Sequence, residues 1–203
     1  VSEPDASLST IGVLILGGGE ATRLPGKLEL DAGALPMLAR VYRNVGVGRE
    51  TWLAAKGSYP PALDALLPIP VAIDRWSLRG PLAGLVTTMA QMRARWVFAI
   101  AGDAPLVEGS FIDVLAAERR PGDEAVLPVH DREGKRQLEP LAALYDRLAF
   151  LREGLPVLRA GGGALRTVID RLKARYVGVA AARIFTNVNT PADYAALLES
   201  MRP

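Results

Sequence analysis

The chain contains no cysteine, a single histidine and no dense block of lysine or arginine. Without cysteine there are no disulfides, thiol nucleophiles, thiolate zinc sites or iron–sulfur clusters. One histidine, His130, argues against a Ser-His-Asp triad and against a multi-histidine metal centre. Chemistry must then rest on carboxylates, lysine, arginine, backbone amides and a hard cation that takes oxygen ligands. The 24 basic and 22 acidic residues leave a formal charge of +2, which speaks against a nucleic-acid partner. No apolar run approaches the ~20 residues of a membrane span. The opening segment VSEPDASLST (1–10) lacks the basic-then-apolar layout of a signal peptide and reads as a flexible terminus. With no repeat, low-complexity tract or linker, 1–203 is expected to be one soluble, cytoplasmic domain.

What is present is alternation. Ile11–Leu16, Thr51–Ala55, Pro70–Ile73, Trp96–Ala101 and Ala125–Val129 are short, apolar and bounded by Gly, Pro or Asp. Between them, Leu35–Val45, Pro81–Met92 and Phe111–Arg119 place apolar residues at helical spacing. This predicts an α/β fold with a mostly parallel sheet between two helical layers, Rossmann-like in arrangement. Further on, HDREGKRQ (130–137) reads as a polar turn with His130 on the surface, and LEPLAALY (138–145) as a returning strand. Leu165–Leu172 reads as a helix and Tyr176–Ala180 as a strand. Thr190, Pro191 and Asp193 signal the start of a last helix.

The first apolar run ends in LGGGEATRLPGK (16–27). In an open parallel sheet, ligands sit beyond the carboxyl ends of the strands. Gly17, Gly18 and Gly19 lack Cβ atoms, so their amides can approach a ligand closely, and Arg23 and Lys27 add positive charge. The stretch is neither a Walker loop nor GxGxxG: Ala21, Leu28 and Thr22 stand where those patterns need other residues. The plainer alternative is a glycine turn with solvated cations. AGDAP (101–105) then delivers Asp103 to the same sheet edge, placed to hold Mg²⁺ together with phosphate oxygens. Its alternative is a turn cap. Together the two features indicate a nucleotide–magnesium site.

LGGGEATRL (16–24) and Lys27 resemble the signature of nucleotidyltransferases with a glycosyltransferase-A-like fold. GPLAGL (80–85), AGDAP, LEPLAALYDR (138–147) and FTNVNTPADY (185–194) are similar to the molybdenum cofactor guanylyltransferases in particular. The resemblance implies transfer of GMP from GTP to the terminal phosphate of molybdopterin, with pyrophosphate released and Mg²⁺ required. It also implies transient contact with other proteins of molybdenum cofactor maturation. By the same resemblance Arg23 would face the β- and γ-phosphates, Lys27 the α-phosphate and Asp103 the metal. Leu16, the three glycines, Asp74, Gly80 and Pro81 would line the nucleotide, and Asn187 and Asn189 the acceptor side.

Each of these segments also has a structural reading. GPLAGL starts a helix with Pro81 at its first position, Asp74 can form a turn, and the two asparagines can order a loop. RAGGGALR (159–166) reads as a mobile glycine loop in preference to a second phosphate cradle. The chain departs from the family pattern in Leu24-Pro25-Gly26-Lys27, which is short and has glycine in place of aspartate, and in Ala54, where asparagine is common. Both departures lie on the nucleotide side and leave guanine and cytosine open. A cytidylyltransferase acting on molybdopterin or on a sugar acid or alcohol phosphate is one alternative; a non-catalytic nucleotide-binding regulator is another.

Overall fold

The first apolar run, Ile11–Leu16, forms β1, and Trp96–Ala101 forms β4 directly beside it, parallel from Ile11↔Trp96 to Leu16↔Ala101. Val13, Ile15, Phe98 and Ile100 enter one core, while Leu14, Val97 and Ala99 enter the other. Burial on both faces is why these strands are continuously apolar instead of alternating. The computed structural model describes residues 11–17, 24–56, 63, 66–77, 80–132, 134–180 and 182–201. The segment 1–10 lies outside them.

The remaining strands are β2 (Thr51–Lys56), β3 (Val71–Asp74), β5 (Ala125–Arg132), β6 (Lys135–Leu138), β7 (Ala142–Asp146) and β8 (Ala174–Gly178). They join one mixed, mostly parallel sheet in the order β3-β2-β1-β4-β7-β5-β6, with β8 parallel to β5. Since β7 is antiparallel to both β4 and β5, strands β1, β4, β5 and β8 all end at the same edge. That edge carries Leu16, Asp74 and Asp103, at or just past the ends of β1, β3 and β4.

Helices cover both faces. On one lie α1 (Met37–Val41), which runs into a π-helical turn at Tyr42–Gly46, and α3 (Gly109–Ala117). On the other lie α2 (Pro81–Met89), α4 (Arg147–Arg159) and α5 (Leu165–Ile169). The last helix, α6 (Pro191–Ser200), packs Leu197 with Ala32 and Met37. It starts as expected, with a capping box in which Thr190 and Asp193 bond each other's backbone N–H groups.

Two stretches differ from the sequence expectation. HDREGKRQ is a hairpin: β5 continues to Arg132, and Lys135–Leu138 pairs back on it through a turn at Gly134. Its polarity reflects β6's exposure at the sheet periphery, where strands carry charge. The helix α4 has no counterpart in the sequence reading because Pro156 interrupts its pattern. Asp146 starts it by accepting from the amides of Leu148 and Ala149 at 3.1 and 3.0 Å. Its end explains the second glycine cluster. The N–H of Gly161 donates to Leu158 O, and that of Gly162 to Val157 O, both at 2.9 Å. This is a Schellman stop with Gly161 at φ 78°.

Candidate active site

The end of β1 is held down on both sides. Gly17 donates its N–H to Ala54 O at 2.9 Å, and Leu16 O accepts from Gly102 N at 2.9 Å. A Cβ on Gly17 would stand 2.6 Å from Leu53 Cδ1. Gly17 therefore lets the end of β1 pack closely on Leu53 of β2, and its amide is already satisfied. Gly18, Gly19 and Arg23 lie outside the described residues.

The chain re-enters through Leu24 and turns at Gly26 (φ 68°, ψ 13°) into a 3₁₀ turn, Lys27–Glu29. This short turn aims Lys27 across the mouth of the sheet, where Nζ forms a short ion pair with Asp103 Oδ2. The same ammonium donates to Asn189 Oδ1 at 2.9 Å. Lys27 and Asp103 side chains are 18% and 12% exposed, so little water screens the pair. Three segments far apart in sequence, the turn at Lys27, the end of β4 and the approach to α6, thus meet at one cation.

Asp103 is fixed from behind. Ala104 N donates to Ala101 O at 3.2 Å, and Asn44 Nδ2 holds Pro105 O at 2.9 Å from the π-helical turn. Val188 N donates to Asp103 O at 3.0 Å, tying the loop before α6 to the aspartate itself. Asn189 is set in turn by Asp193 Oδ2, which accepts its N–H at 3.0 Å. Asn187, two residues earlier, is exposed at the same rim.

Three of the residues expected to line the nucleotide, Asp74, Gly80 and Pro81, flank the β3–α2 connection. Asp74 is buried and accepts from Trp76 N at 2.8 Å, so its turn-forming reading holds. Gly80 caps α2 at φ 100°, ψ 173°, with Pro81 next. The carbonyl of Gly163 stands 3.3 Å from where a Gly80 Cβ would be, so the end of the second glycine loop abuts this cap. Gly84 allows α2 to sit against Leu16, whose Cδ2 would be 3.0 Å from an added Cβ. Asp74, Gly80 and Pro81 share the edge with Lys27 but do not touch it. Ala54, where the signature's asparagine would stand, faces α2 with its Cβ beside Gly84.

The donors at this edge are compatible with a magnesium ion. Among the described residues no group of three or more His, Cys, Asp or Glu could hold a metal. A single carboxylate, Asp103, is what this edge offers, and Mg²⁺ can be held by one carboxylate because it keeps several of its waters. A zinc or calcium cage would need more protein ligands. No described helix is long and apolar enough to cross a membrane.

Sequence reasoning missed a buried cluster at the same edge. His130 is 7% exposed, not a surface residue; its Nε2 lies 2.8 Å from Glu139 Oε1, and its ring stacks on Phe185 at 5.3 Å. The pairing depends on a hairpin register and on a bulge at Glu139–Leu141. Leu138 faces Val129, whereas Leu144 faces Val126, so the return chain carries extra residues there. Neither feature shows in a linear pattern.

Comparison with known proteins agrees with this fold. A probable molybdenum cofactor guanylyltransferase of Carboxydothermus hydrogenoformans is 27% identical over 205 residues, covering 95% of this chain and 97% of that protein. One from Deinococcus radiodurans is 35% identical over 118 residues, covering 58% of this chain and 59% of that protein. The crystal structure of molybdopterin-guanine dinucleotide biosynthesis protein A from Archaeoglobus fulgidus superposes with a TM-score of 0.76 at 22% identity, covering 94% and 98% of the two chains. At that identity the likeness is one of fold. The MobA-like NTP transferase domain matches residues 13–177, from the third residue of β1 into β8, and with that match spanning most of the chain, this protein belongs to the MobA-like NTP transferase family.

Proposed function

We propose that the chain transfers GMP from GTP to the terminal phosphate of molybdopterin. A phosphate oxygen of the acceptor attacks the α-phosphorus; the bond from that phosphorus to the oxygen bridging to the β-phosphate breaks, and pyrophosphate leaves. The observation carrying this reading is the meeting of Lys27, Asp103 and Asn189 at the carboxyl edge of β1 and β4. The names of the family's relatives support the choice of substrates.

An anionic monoester must approach an anionic α-phosphate, so neutralising charge is the main task. In this reading Lys27 exchanges its contact with Asp103 for the α-phosphate, and Asn189 keeps the ammonium aimed as it does so. Arg23 takes the β- and γ-phosphates. Asp103, freed of its cation, is the carboxylate that would hold Mg²⁺. The ion would supply charge neutralisation across the phosphate oxygens. Asn187, exposed on the rim, meets the acceptor. Gly80 and Pro81, at the start of α2, border the base. No protein nucleophile enters, in keeping with a chain without cysteine. Ala54 and the short Leu24–Lys27 turn leave room for a second reading, with CTP as donor.

Thermal stabilisation by GTP, CTP, UTP and ATP, each with and without Mg²⁺, separates these readings. At about 100 times its dissociation constant the preferred nucleotide adds about 2.7 kcal/mol. Mg²⁺-dependent stabilisation by GTP above the others is the expected result. A CTP preference would favour the cytidylyl reading; no response would favour a non-catalytic relative.

A further inference from the structure

We infer that His130, clamped by Glu139, is a positioning residue of the transfer site, setting through Phe185 the place of the loop that brings Asn189 to Lys27. The inference rests on the transferase reading for its kinetic consequence, though not for its geometry.

His130 is the chain's only histidine, and none of the proposed chemistry uses it. It points to the face of the sheet that carries α3. There Phe185 lies on its ring at an interplanar angle of 20°, and Phe111 closes on Phe185 edge-on at 5.4 Å. Phe185 ends the 3₁₀ turn Ala182–Phe185. The next residues are Thr186, Asn187, Val188 and Asn189, so the ring supporting Phe185 is at the root of the acceptor-side loop. The far end of that loop is fixed by the Thr190–Asp193 capping box, and its middle by Val188 N to Asp103 O. His130 and Phe185 supply the near end.

The histidine side chain is buried, only 4% exposed. The residue is one of those lining a cavity of about 410 Å³, with Asp131, Arg136 and Val179. Glu139 is what anchors it, through the 2.8 Å contact to Nε2. Glu139 is delivered by the bulge between β6 and β7, where its own N–H bonds Pro128 O at 3.0 Å, and Tyr145 pins the next residue by donating its hydroxyl to Pro140 O at 2.8 Å. A bulge beside a site, re-aiming one side chain, is a recurring device of functional sheet edges. The path runs Glu139, His130, Phe185, loop 186–190, Asn189, Lys27.

The test compares wild type with His130→Ala, His130→Phe and Glu139→Gln. Two readouts are taken: transfer kinetics with GTP, Mg²⁺ and molybdopterin, and amide hydrogen exchange at Val188. His130→Ala removes the platform. Its expected signature is a rise of roughly tenfold or more in KM for molybdopterin, as small misplacements produce, with GTP affinity within about twofold of wild type. Exchange at Val188 accelerates. His130→Phe keeps the stacking ring and restores most of both readouts, and Glu139→Gln keeps a hydrogen bond and stays close to wild type. A merely structural histidine would lower Tm and weaken GTP and acceptor together, or leave KM unchanged; either result overturns the inference. So does Val188 exchange in His130→Ala equal to that of wild type. If wild type transfers nothing to molybdopterin, the substrate reading fails, and Val188 exchange decides the positioning role on its own.

Discussion

Replacing Gly80 by alanine tests the base-side geometry. At φ 100°, ψ 173° the residue occupies a region that side chains other than glycine's adopt only under strain. Such conformations cost about 1–3 kcal/mol. The added Cβ would stand 3.3 Å from the carbonyl of Gly163, closer than carbon and oxygen ordinarily rest, so the loop after α4 must shift by a few tenths of an ångström. A central value of about 2 kcal/mol lowers Tm by roughly 4–8 °C in a domain of this length. Gly178→Ala in β8 is the control: a Cβ there meets nothing within 4 Å and its φ is ordinary, so its effect stays within about 0.5 kcal/mol. Thermal and urea denaturation of both variants read the difference. Stabilisation by the preferred nucleotide should also shrink in Gly80→Ala, because α2's first turn moves. A Gly80→Ala protein no less stable than Gly178→Ala would refute both the strain and the loop contact.

Asp146→Ala removes the cap of α4 and the partner of Arg95, whose side chain is 69% exposed; the cap accounts for about 1 kcal/mol and the screened ion pair adds little. Asp146→Asn keeps the cap, so urea denaturation should find it much closer to wild type, and equal losses would contradict the assignment. Asn189→Ala leaves Lys27 paired with Asp103 but unaimed; transfer should fall by roughly tenfold or more, as for a hydrogen bond to a charged group, with Tm little changed. Acid stability follows from Asp123 and Glu124. Burial raises the Asp123 carboxyl, but two bonds from Arg175, at 2.6 and 3.2 Å, and the N–H of Arg120 outweigh it and hold it low. Glu124 is held low chiefly by the N–H of Lys173, against burial, with help from Arg152. Both contributions are complete above the ordinary carboxyl range, near pH 4, and disappear as pH falls through the lowered folded values. Urea stability measured from about pH 6 to pH 3 should therefore fall less in Asp123→Asn/Glu124→Gln than in wild type. Parallel curves would refute it.

The parts of the fold that could be read in advance are those where local chemistry and tertiary role agree. β1 and β4 are apolar on both faces because they are central, and α6 begins with its own cap. Lys27 and Asp103 were legible because strand ends converge on one edge, whatever the loops between them do. The failures have a common physical cause. His130 lies in a polar stretch whose burial depends on Phe185, more than fifty residues away, and on the register that brings Glu139 beneath it. The glycines at 161 and 162 serve to stop α4, a purpose invisible while Pro156 concealed the helix. Gly17 likewise reads as a bared amide until Ala54 is seen to accept from it. Helix α1 starts at Met37, later than its apolar spacing suggests, because Pro36 precedes it in an extended conformation.

The most direct test of the central claim is product identity. The purified chain would be incubated with molybdopterin, Mg²⁺ and equal concentrations of GTP, CTP, UTP and ATP, and the pterin product identified by mass spectrometry alongside pyrophosphate. The account predicts the guanine dinucleotide, formed together with an equal amount of pyrophosphate and lost in Lys27→Ala. A cytosine dinucleotide, or unmodified molybdopterin with wild-type protein, would contradict it.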